Sequence, residues 1–511
     1  MTVASPPRNR RAGAFGSRSS LALTTLIALL LTSPRISAAT NTVQRLSLGD
    51  CIQLALKNNL SLAISRYSPQ LSRNQLRLSL FGYDPSVSLS VNADTTSSPG
   101  GVDDQNRAFA GTETDSERYN ASLNGSAVTG LRYTMSTFLS HRQGFNPGEF
   151  ENTAGNMSFN LTQPLLKNFW IDSTRLSIRV GRNDVRVSDL VLKQSIMDLV
   201  TDVEREYYNL ILAQDRLKVQ QGALELTEQL LQANRRRVTV GVMAPLDEKQ
   251  TESQLAARQS SVRSAEQGLV RAEYIFKRLL TSDIATWAEI DIQPIDRLIA
   301  IPQEFDLHRS WGVALRKRPD ILQSQINLES DGLRLKFRKN QLFPQLDLTA
   351  SASFSGNARE YPGVLADVAD RDSPRYAIGA RMTIPLGNRT ERLRYKNQKL
   401  NNERAVLRLK QMEQQIMTSV ALNIEAAKTA LDQVATTKKS REFAEIALDA
   451  EEKKLEIGKS TSFIVLQLQR DLTSAQSSEI NALADYNRAL STLALSEGTT
   501  LERLKLDIDL E

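Results

Sequence analysis

The chain repeats one structural plan twice, and this duplication limits its possible folds more than any other feature of the sequence. The tripeptide Ala-Leu-Lys at 55–57 returns 259 residues later as Ala-Leu-Arg at 314–316, and the same offset aligns a proline of each copy. Farther along, the Val-Gly turn at 240–241 returns 217 residues later as Ile-Gly at 457–458. Chance similarity between two helices would not also align a proline, a turn glycine and the order of the elements. We therefore predict that each copy contains a helix, two strands separated by an excursion, and two helices joined by a glycine turn.

The repeats divide the chain into five predicted segments. Each copy begins with a helix, at roughly 48 to 82 and at 307 to 342, that leads to its first strand. The segments are a signal peptide (1–39), the first repeat (40–281), a linker (282–306), the second repeat (307–496) and a C-terminal tail (497–511).

Prolines mark the places where helical and strand patterns meet. Long stretches of the sequence contain none, whereas Pro85, Pro164, Pro344 and Pro385 stand at the changes of pattern. Proline lacks a backbone N–H and fixes φ, so it is tolerated at such joints better than inside a helix or a strand. We therefore predict helix-strand junctions at these four residues.

The first copy contains one unusually long helix after its strands. Between Leu192 and Leu217 its apolar residues recur about every 3.57 residues, a period between that of a straight helix and that of a left-handed coiled coil. A helix from about 173 to 238 would be on the order of 100 Å long. No ordinary globular core needs that length, so we predict a coiled-coil assembly of long helices.

The strand segments alternate between apolar and small polar residues. Val87, Leu89 and Val91, for example, are separated by serines. One apolar face and one polar face is typical of a barrel with lipid outside and water inside, and a soluble half-buried sheet gives the same alternation. The first copy has an extra pair of alternating segments around a tight Thr-Gly turn at 129–130, with long polar loops predicted at 96 to 116 and 142 to 155.

Residues that carry enzymatic or metal chemistry are scarce. The chain has one Cys and two His, which excludes a disulfide framework and zinc sites of the Cys/His type. We find no Gly-rich phosphate loop and no catalytic serine or zinc-protease motif. His141 and His308 are interpreted as ordinary polar residues, and Cys51 as a buried free thiol in the first helix. The sequence therefore predicts no enzyme activity, no cofactor and no metal site.

The amino terminus has the pattern of an export signal. An Arg-rich start precedes an apolar run from Leu21 to Leu31, and Ser-Ala-Ala at 37–39 forms a small-residue cleavage site. The leader carries five arginines and no acid, so its removal leaves 59 basic and 58 acidic residues and no charge argument for a nucleic-acid partner. No later stretch is apolar enough for a transmembrane helix, so any membrane crossing has to use strands.

Together these features resemble the TolC-like outer-membrane efflux and export factors, over nearly all of the chain from Leu46 to about Glu497. The marks of the resemblance are the two Ala-Leu-Lys/Arg helices, the strand exits Gln163-Pro164-Leu165-Leu166 and Ile384-Pro385-Leu386-Gly387, and the helix turns that end at Gly241 and Gly458. The resemblance implies a homotrimer whose strands close one barrel in outer-membrane lipid and whose helices continue it as a periplasmic α-barrel, with the linker and the tail as an equatorial belt. The implied fold is mainly α, with a coiled-coil α-barrel and a transmembrane β-barrel.

The chain departs from the family pattern in two places. The extra strand pair would give six strands per chain, or eighteen per trimer, unless it stands above the membrane as a hairpin. The acidic residues of the family's periplasmic aperture are replaced by Ile464 and Gln467, while Asp247 matches an aperture acid in the first copy. An interpretation of equal weight is that Asp247 is a solvated residue at a helix N-terminus, where the helix dipole stabilises its negative charge.

The function implied by the resemblance is a passive exit duct of a tripartite efflux pump or a type I secretion system. Such a duct works with a periplasmic adaptor protein and an inner-membrane transporter. The alternative is a secreted periplasmic coiled-coil adaptor or scaffold whose strands form a soluble sheet.

Overall fold

The computed structural model describes residues 42–146 and 148–506 of the chain. The predicted signal peptide and residues 507–511 of the predicted tail lie outside the described residues. The helices are α1 (Leu48–Asn58), α2 (Leu60–Ser65), α3 (Tyr67–Leu80), α4 (Ser173–Thr239), α5 (Pro245–Leu280), α6 (Ile284–Trp287), α7 (Leu307–Lys317), α8 (Pro319–Asn340), α9 (Tyr361–Asp370), α10 (Arg389–Glu456), α11 (Ser462–Glu497) and α12 (Thr500–Arg503). The strands are β1 (Thr42–Leu46), β2 (Ser86–Ser98), β3 (Gly101–Val102), β4 (Ala108–Phe109), β5 (Thr112–Ser126), β6 (Arg132–Phe145), β7 (Glu149–Pro164), β8 (Ile290–Pro294), β9 (Gln345–Ala358) and β10 (Pro374–Thr383).

The long helices occur in matching pairs. Helices α4 and α10 have 67 and 68 residues, and α5 and α11 have 36 residues each. Helix α10 begins 216 residues after α4, and α11 begins 217 residues after α5. At 1.5 Å per residue, α4 and α10 are each about 100 Å long.

The first helix of each repeat is interrupted, which corrects the single helices predicted at 48 to 82 and 307 to 342. The breaks fall at Asn59 and Arg318, whose ψ angles are 123° and 128°. Asn59 accepts the backbone N–H of Leu62 at 3.0 Å and so begins a new helix. Arg318 precedes Pro319, whose ring disfavours a helical conformation in the residue before it.

Six strands form one antiparallel sheet in the order β10-β9-β7-β6-β5-β2. The extra pair β5 and β6 lies inside this sheet, between β7 and β2, and is joined by a turn with Gly130 at φ +85°. The hairpin is therefore an integral part of the sheet and does not stand apart from it.

The polar loops predicted at 96 to 116 and 142 to 155 are mostly strand, which corrects that prediction. The ladder between β2 and β5 continues to Ser98 and Thr112, and β6 and β7 pair as far as Phe145 and Glu149. In these outer parts of the strands, polar side chains lie on both faces and the alternation of apolar residues ends. The backbone pairing continues, because it does not depend on the side chains being apolar. The sequence also missed α9, which occupies the excursion between β9 and β10.

Apolar clusters in the described part of the chain hold the helices together. One joins α1, α4 and α5 around the fully buried Tyr207 and Phe276, and includes the predicted buried thiol Cys51. A second joins α7, α8, α10 and α11, and a third joins α4, α10 and α11 close to the helix turns. The linker contributes β8, which pairs in parallel with β1 beside the first cluster. None of the helices in the described part of the chain combines the length and apolar content that a bilayer crossing needs.

Candidate functional site

The six-stranded sheet separates apolar and polar residues onto opposite faces. Directly paired residues on antiparallel strands share a face, and the next residue along each strand lies on the other. One row across all six strands consists of Val87, Leu123, Met135, Phe159, Ala352 and Tyr376. The adjacent row on the other face consists of Ser88, Ser122, Ser136, Ser158, Ser353 and Arg375. We call these the apolar face and the polar face.

The apolar face is largely uncovered within one chain. The side chains of Leu89 and Ile378 are 77% and 81% exposed, on strands at opposite edges of the sheet. Exposed apolar surface of this extent marks a contact with another protein or with lipid.

Hydroxyl and amide groups cover the polar face. Ser88 and Ser122 are joined by a hydrogen bond of 2.7 Å between their Oγ atoms, and Ser136 and Ser158 by one of 2.8 Å. These cross-strand bonds leave the serine hydroxyls able to exchange partners with water. The face is chemically suited to contact with water.

Helix α9 packs on the apolar face at the end of the sheet farthest from the long helices. Val364 of this helix is fully buried against Gly155 and Gly356, where an added Cβ would come within 2.6 to 2.8 Å of α9. The ring centroids of Tyr361 and His141 lie 5.4 Å apart, and the Tyr361 hydroxyl donates a hydrogen bond of 3.2 Å to Glu117. Glycines on neighbouring strands thus make room for the helix, and polar groups fix its first turn.

At the other end, the sheet meets the helices at the four prolines. Pro85 and Pro344 directly precede β2 and β9, Pro164 ends β7, and Pro385 follows β10 by two residues. Amide side chains that the sequence analysis missed tie this joint together. Asn340 accepts the backbone N–H of Asn168 at 2.8 Å, and Gln341 donates to Asn168 at 2.6 Å.

The helix turns at the opposite extreme of the molecule share one geometry. Gly241 and Gly458 have φ angles of +76° and +72°, a conformation that favours glycine. After each glycine the next backbone N–H returns to a carbonyl five residues earlier, from Val242 to Arg237 at 3.0 Å and from Lys459 at 2.8 Å. Both turns are Schellman-type helix ends, which gives a physical reason for the two predicted glycines.

A buried polar network holds the two turns side by side. Asn234 is fully buried and donates to the hydroxyl of Thr251 at 2.9 Å. The hydroxyl of Ser462 on α11 donates to the Asn234 Oδ1 at 3.0 Å. This Asn234–Thr251–Ser462 network therefore links α4, α5 and α11, and the sequence analysis missed it because Asn234 stands alone in a polar stretch.

The predicted aperture residues lie in the first two turns of α5 and α11. Asp247 is half-buried, and its carbonyl accepts a hydrogen bond from Thr251 at 2.8 Å. Ile464 is 42% exposed, and Gln467 is exposed and accepts a hydrogen bond from Arg470 at 2.7 Å. Asp247 and Ile464 occupy equivalent positions, 217 residues apart, in the two repeats.

Ion pairs connect α4 to α5 beside this network. Arg235 Nη2 lies 2.8 Å from Glu252, and Lys249 lies 2.8 Å from the same carboxylate. Hydrogen bonds from Lys249 and Arg235 lower the pKa of Glu252, so the carboxylate remains charged at neutral pH.

At the middle of α4, the C-terminal segment is fixed by a largely enclosed ion pair. Arg503 of α12 donates to both oxygens of Glu204, whose side chain is 1% exposed. Burial raises the pKa of Glu204, while Arg503 and Ser491 oppose that rise. Nearby, the Tyr207 hydroxyl donates to Asp296 of the linker at 2.8 Å. Both segments are therefore attached to the same region of α4.

The family model described as "Outer membrane efflux protein" matches residues 51–280 and 312–499. A similar curated protein is the "Outer membrane efflux protein BepC" of Brucella suis biovar 1, 23% identical over 371 residues that cover 72% of this chain and 77% of that protein. Among solved structures, the outer-membrane channel OprN has 16% identity and a TM-score of 0.66, with 88% of this chain and 90% of that chain covered. The CmeC outer membrane channel of Campylobacter jejuni has 16% identity and a TM-score of 0.64, with 90% and 88% covered.

Proposed function

Because the chain belongs to the outer membrane efflux protein family, we propose that three copies close their sheets into one β-barrel in the outer membrane. The barrel would continue into the periplasm as an α-barrel built from the long helices. The family resemblance inferred from the sequence is confirmed, and so is the expectation that the chain is not an enzyme, since its relatives are efflux channels.

The single observation that carries the proposal is the separation of the sheet into two faces. On β9 the apolar face runs from Leu348 to Gly356, about 26 Å along the strand and about 20 Å in height if the strands tilt as in known barrels. The apolar band of outer-membrane barrels is about 25 Å tall. An apolar face of that height fits against lipid, and the polar face then lines a water-filled bore.

The edges of the sheet support assembly with further copies. Among the described residues, strands β2 and β10 each pair on one side only. Unpaired edge strands of this length are open to pairing with another chain, and closing the sheet into a barrel removes such edges. Three six-stranded sheets would give an even barrel of eighteen strands, within the range of outer-membrane barrels.

We further propose that the duct serves as the passive exit of a tripartite efflux pump or a type I secretion system. Helices of about 100 Å extend far enough from the sheet to reach deep into the periplasm. A periplasmic adaptor protein and an inner-membrane transporter are the partners that this role requires. The alternative, a soluble adaptor or scaffold, does not explain why the apolar face is exposed.

Thiol labelling of two neighbouring residues tests the proposal. Cys51 is the only cysteine, it is buried, and burial raises its pKa to about 12, so it should not react. Ser353→Cys places a thiol on the polar face, and Ala352→Cys is the matched control on the apolar face of the same strand. In protein reconstituted in lipid vesicles, a charged thiol reagent should label Cys at 353 and spare Cys at 352. Equal labelling at both positions would contradict the proposed barrel.

A further inference from the structure

Positive charges outnumber negative charges on the polar face. Its arginines are Arg118, Arg132, Arg142, Arg375 and Arg381. Its two carboxylates lie toward the ends of the strands: Asp94 shares a row with Arg142, and Asp347 is the Cα partner of Arg381. Between these two rows the face holds only arginine, hydroxyl, amide and small side chains, apart from one phenylalanine.

Three of these arginines, Arg118, Arg132 and Arg375, lie between the two rows that contain the carboxylates. Arg375 is exposed and lies directly opposite Ser353, at the end of the serine row. Arg132 pairs with Thr162, and the Arg118 guanidinium stacks over the Phe138 ring at 4.8 Å. Among residues 42–146 and 148–506, none of the three has a carboxylate within the 4.0 Å of an ion pair.

Unpaired charges on the wall of a bore act together. In a trimer, each of these arginines would recur three times around the lumen, on walls whose outer side is lipid. A cleft lined by one sign of charge with low-dielectric walls concentrates the field and attracts counter-ions. At an ionic strength of 0.1 M the field of each charge extends about 10 Å, so the serine hydroxyls beside Arg375 lie within it.

We infer that the barrel section of the bore prefers anions, and that Arg118, Arg132 and Arg375 set this preference. The inference rests on the proposed function, because it needs the polar face to line the bore. It also names a cargo class: negatively charged solutes should concentrate in this section, whereas cations should be depleted there. Serine and asparagine side chains around the arginines can exchange hydrogen bonds with passing anions without holding them.

Local reaction rates test the inference independently of any constriction elsewhere in the duct. In the Ser353→Cys protein, the rate at which the new thiol reacts with an anionic methanethiosulfonate is compared with its rate with a cationic one. Each rate is divided by the rate of the same reagent with a small thiol free in solution. A potential of about one thermal energy unit would make the anionic reagent react roughly five- to tenfold faster. Arg375→Gln should reduce this ratio toward one, and Arg375→Lys, which keeps the charge, should preserve it.

A second pair of positions keeps the test valid if Arg375→Gln does not fold. Ser140 is the Cα partner of Arg118, so Ser140→Cys with Arg118→Gln and Arg118→Lys repeats the measurement on β6. Equal or faster reaction of the cationic reagent at both positions would overturn the inference and leave the barrel intact. A ratio unchanged by both Gln variants would also overturn it, since the arginines would then not be its source. No reaction with either reagent would instead contradict the proposed barrel.

Discussion

At the scale of single residues, burial and pairing decide what the charged groups do. Glu204 is enclosed in the middle of α4 and is compensated by Arg503, which lies on a four-residue helix near the end of the described chain. A buried carboxylate without its partner is costly, because desolvation penalises its charged form. The ion pair that joins this C-terminal segment to α4 therefore depends on one arginine.

Replacing Arg503 should make the stability of the protein depend more strongly on pH. Burial raises the pKa of Glu204, and Arg503→Gln removes the opposing effect, so the pKa should rise further. A raised carboxyl pKa contributes stability that is complete below the unfolded value and is lost as pH rises through the folded value. We expect Arg503→Gln to cost about 1 to 3 kcal/mol at pH 8 and less at pH 5.

Thermal unfolding followed by circular dichroism at both pH values measures this effect. The double variant Glu204→Gln/Arg503→Gln should recover most of the loss, because it leaves no buried charge. Glu228→Gln, an exposed position on the same helix, is the matched control and should change little. Equal destabilisation by Arg503→Gln at pH 5 and pH 8 would count against the burial argument.

Asp247 is the residue on which the proposed periplasmic aperture can be tested. Its carboxylate has no hydrogen bond or ion pair within the described residues, so its charge is available to the surroundings. If it lines the aperture, Asp247→Asn should alter single-channel conductance or lower the preference for cations in a planar bilayer. Gln467→Ala should have a smaller electrostatic effect, since Gln467 is uncharged. Unchanged conductance and selectivity in Asp247→Asn would remove this residue from the aperture.

At the scale of helices and strands, much of the molecule follows from sequence pattern. The period of apolar residues predicted a helix from about 173 to 238, and the structure has Ser173–Thr239. The glycine turns and the tight turn at 129–130 were also correct, because positive φ strongly favours glycine. Where side chains stop alternating, sequence pattern fails, as in the outer parts of β5 and β6. Helix α9 was missed because it depends on close packing against Gly155 and Gly356.

The site was less accessible to sequence reasoning than the elements were. The serine row on the polar face depends on the register of six strands. Short turns join only β5 to β6 and β6 to β7, so the turns do not fix the other three pairings, which are β2 with β5, β7 with β9, and β9 with β10. The Asn234–Thr251–Ser462 network joins residues on three helices. Polar partners so far apart in sequence leave no local periodicity that could reveal them.

Loss of that network should loosen the helix turns. Asn234→Ala leaves the Thr251 and Ser462 hydroxyls without their buried partner, which costs about 1 to 3 kcal/mol locally. We expect faster amide hydrogen exchange in the adjoining ends of α4, α5 and α11, with no change in the sheet. Thr239→Ala, an exposed position near the same turn, serves as the control. Exchange rates at the turns equal to those of the parent protein would show that the network does not hold them together.

At the scale of the whole molecule, a single chain is an incomplete object. Within the described residues, its sheet has two free edges and a largely uncovered apolar face. Duplication within the chain means that each copy would supply two similar sectors of a larger ring. Stability and function would then both depend on assembly with other copies.

Electron cryomicroscopy of the purified protein in lipid nanodiscs tests this most directly. We predict a three-fold particle with one continuous central lumen, in which β2 of each chain pairs with β10 of its neighbour and eighteen strands surround the bore. The long helices should extend from one side of the lipid disc. A monomeric particle, or one whose sheets remain open with no lumen between them, would contradict the account.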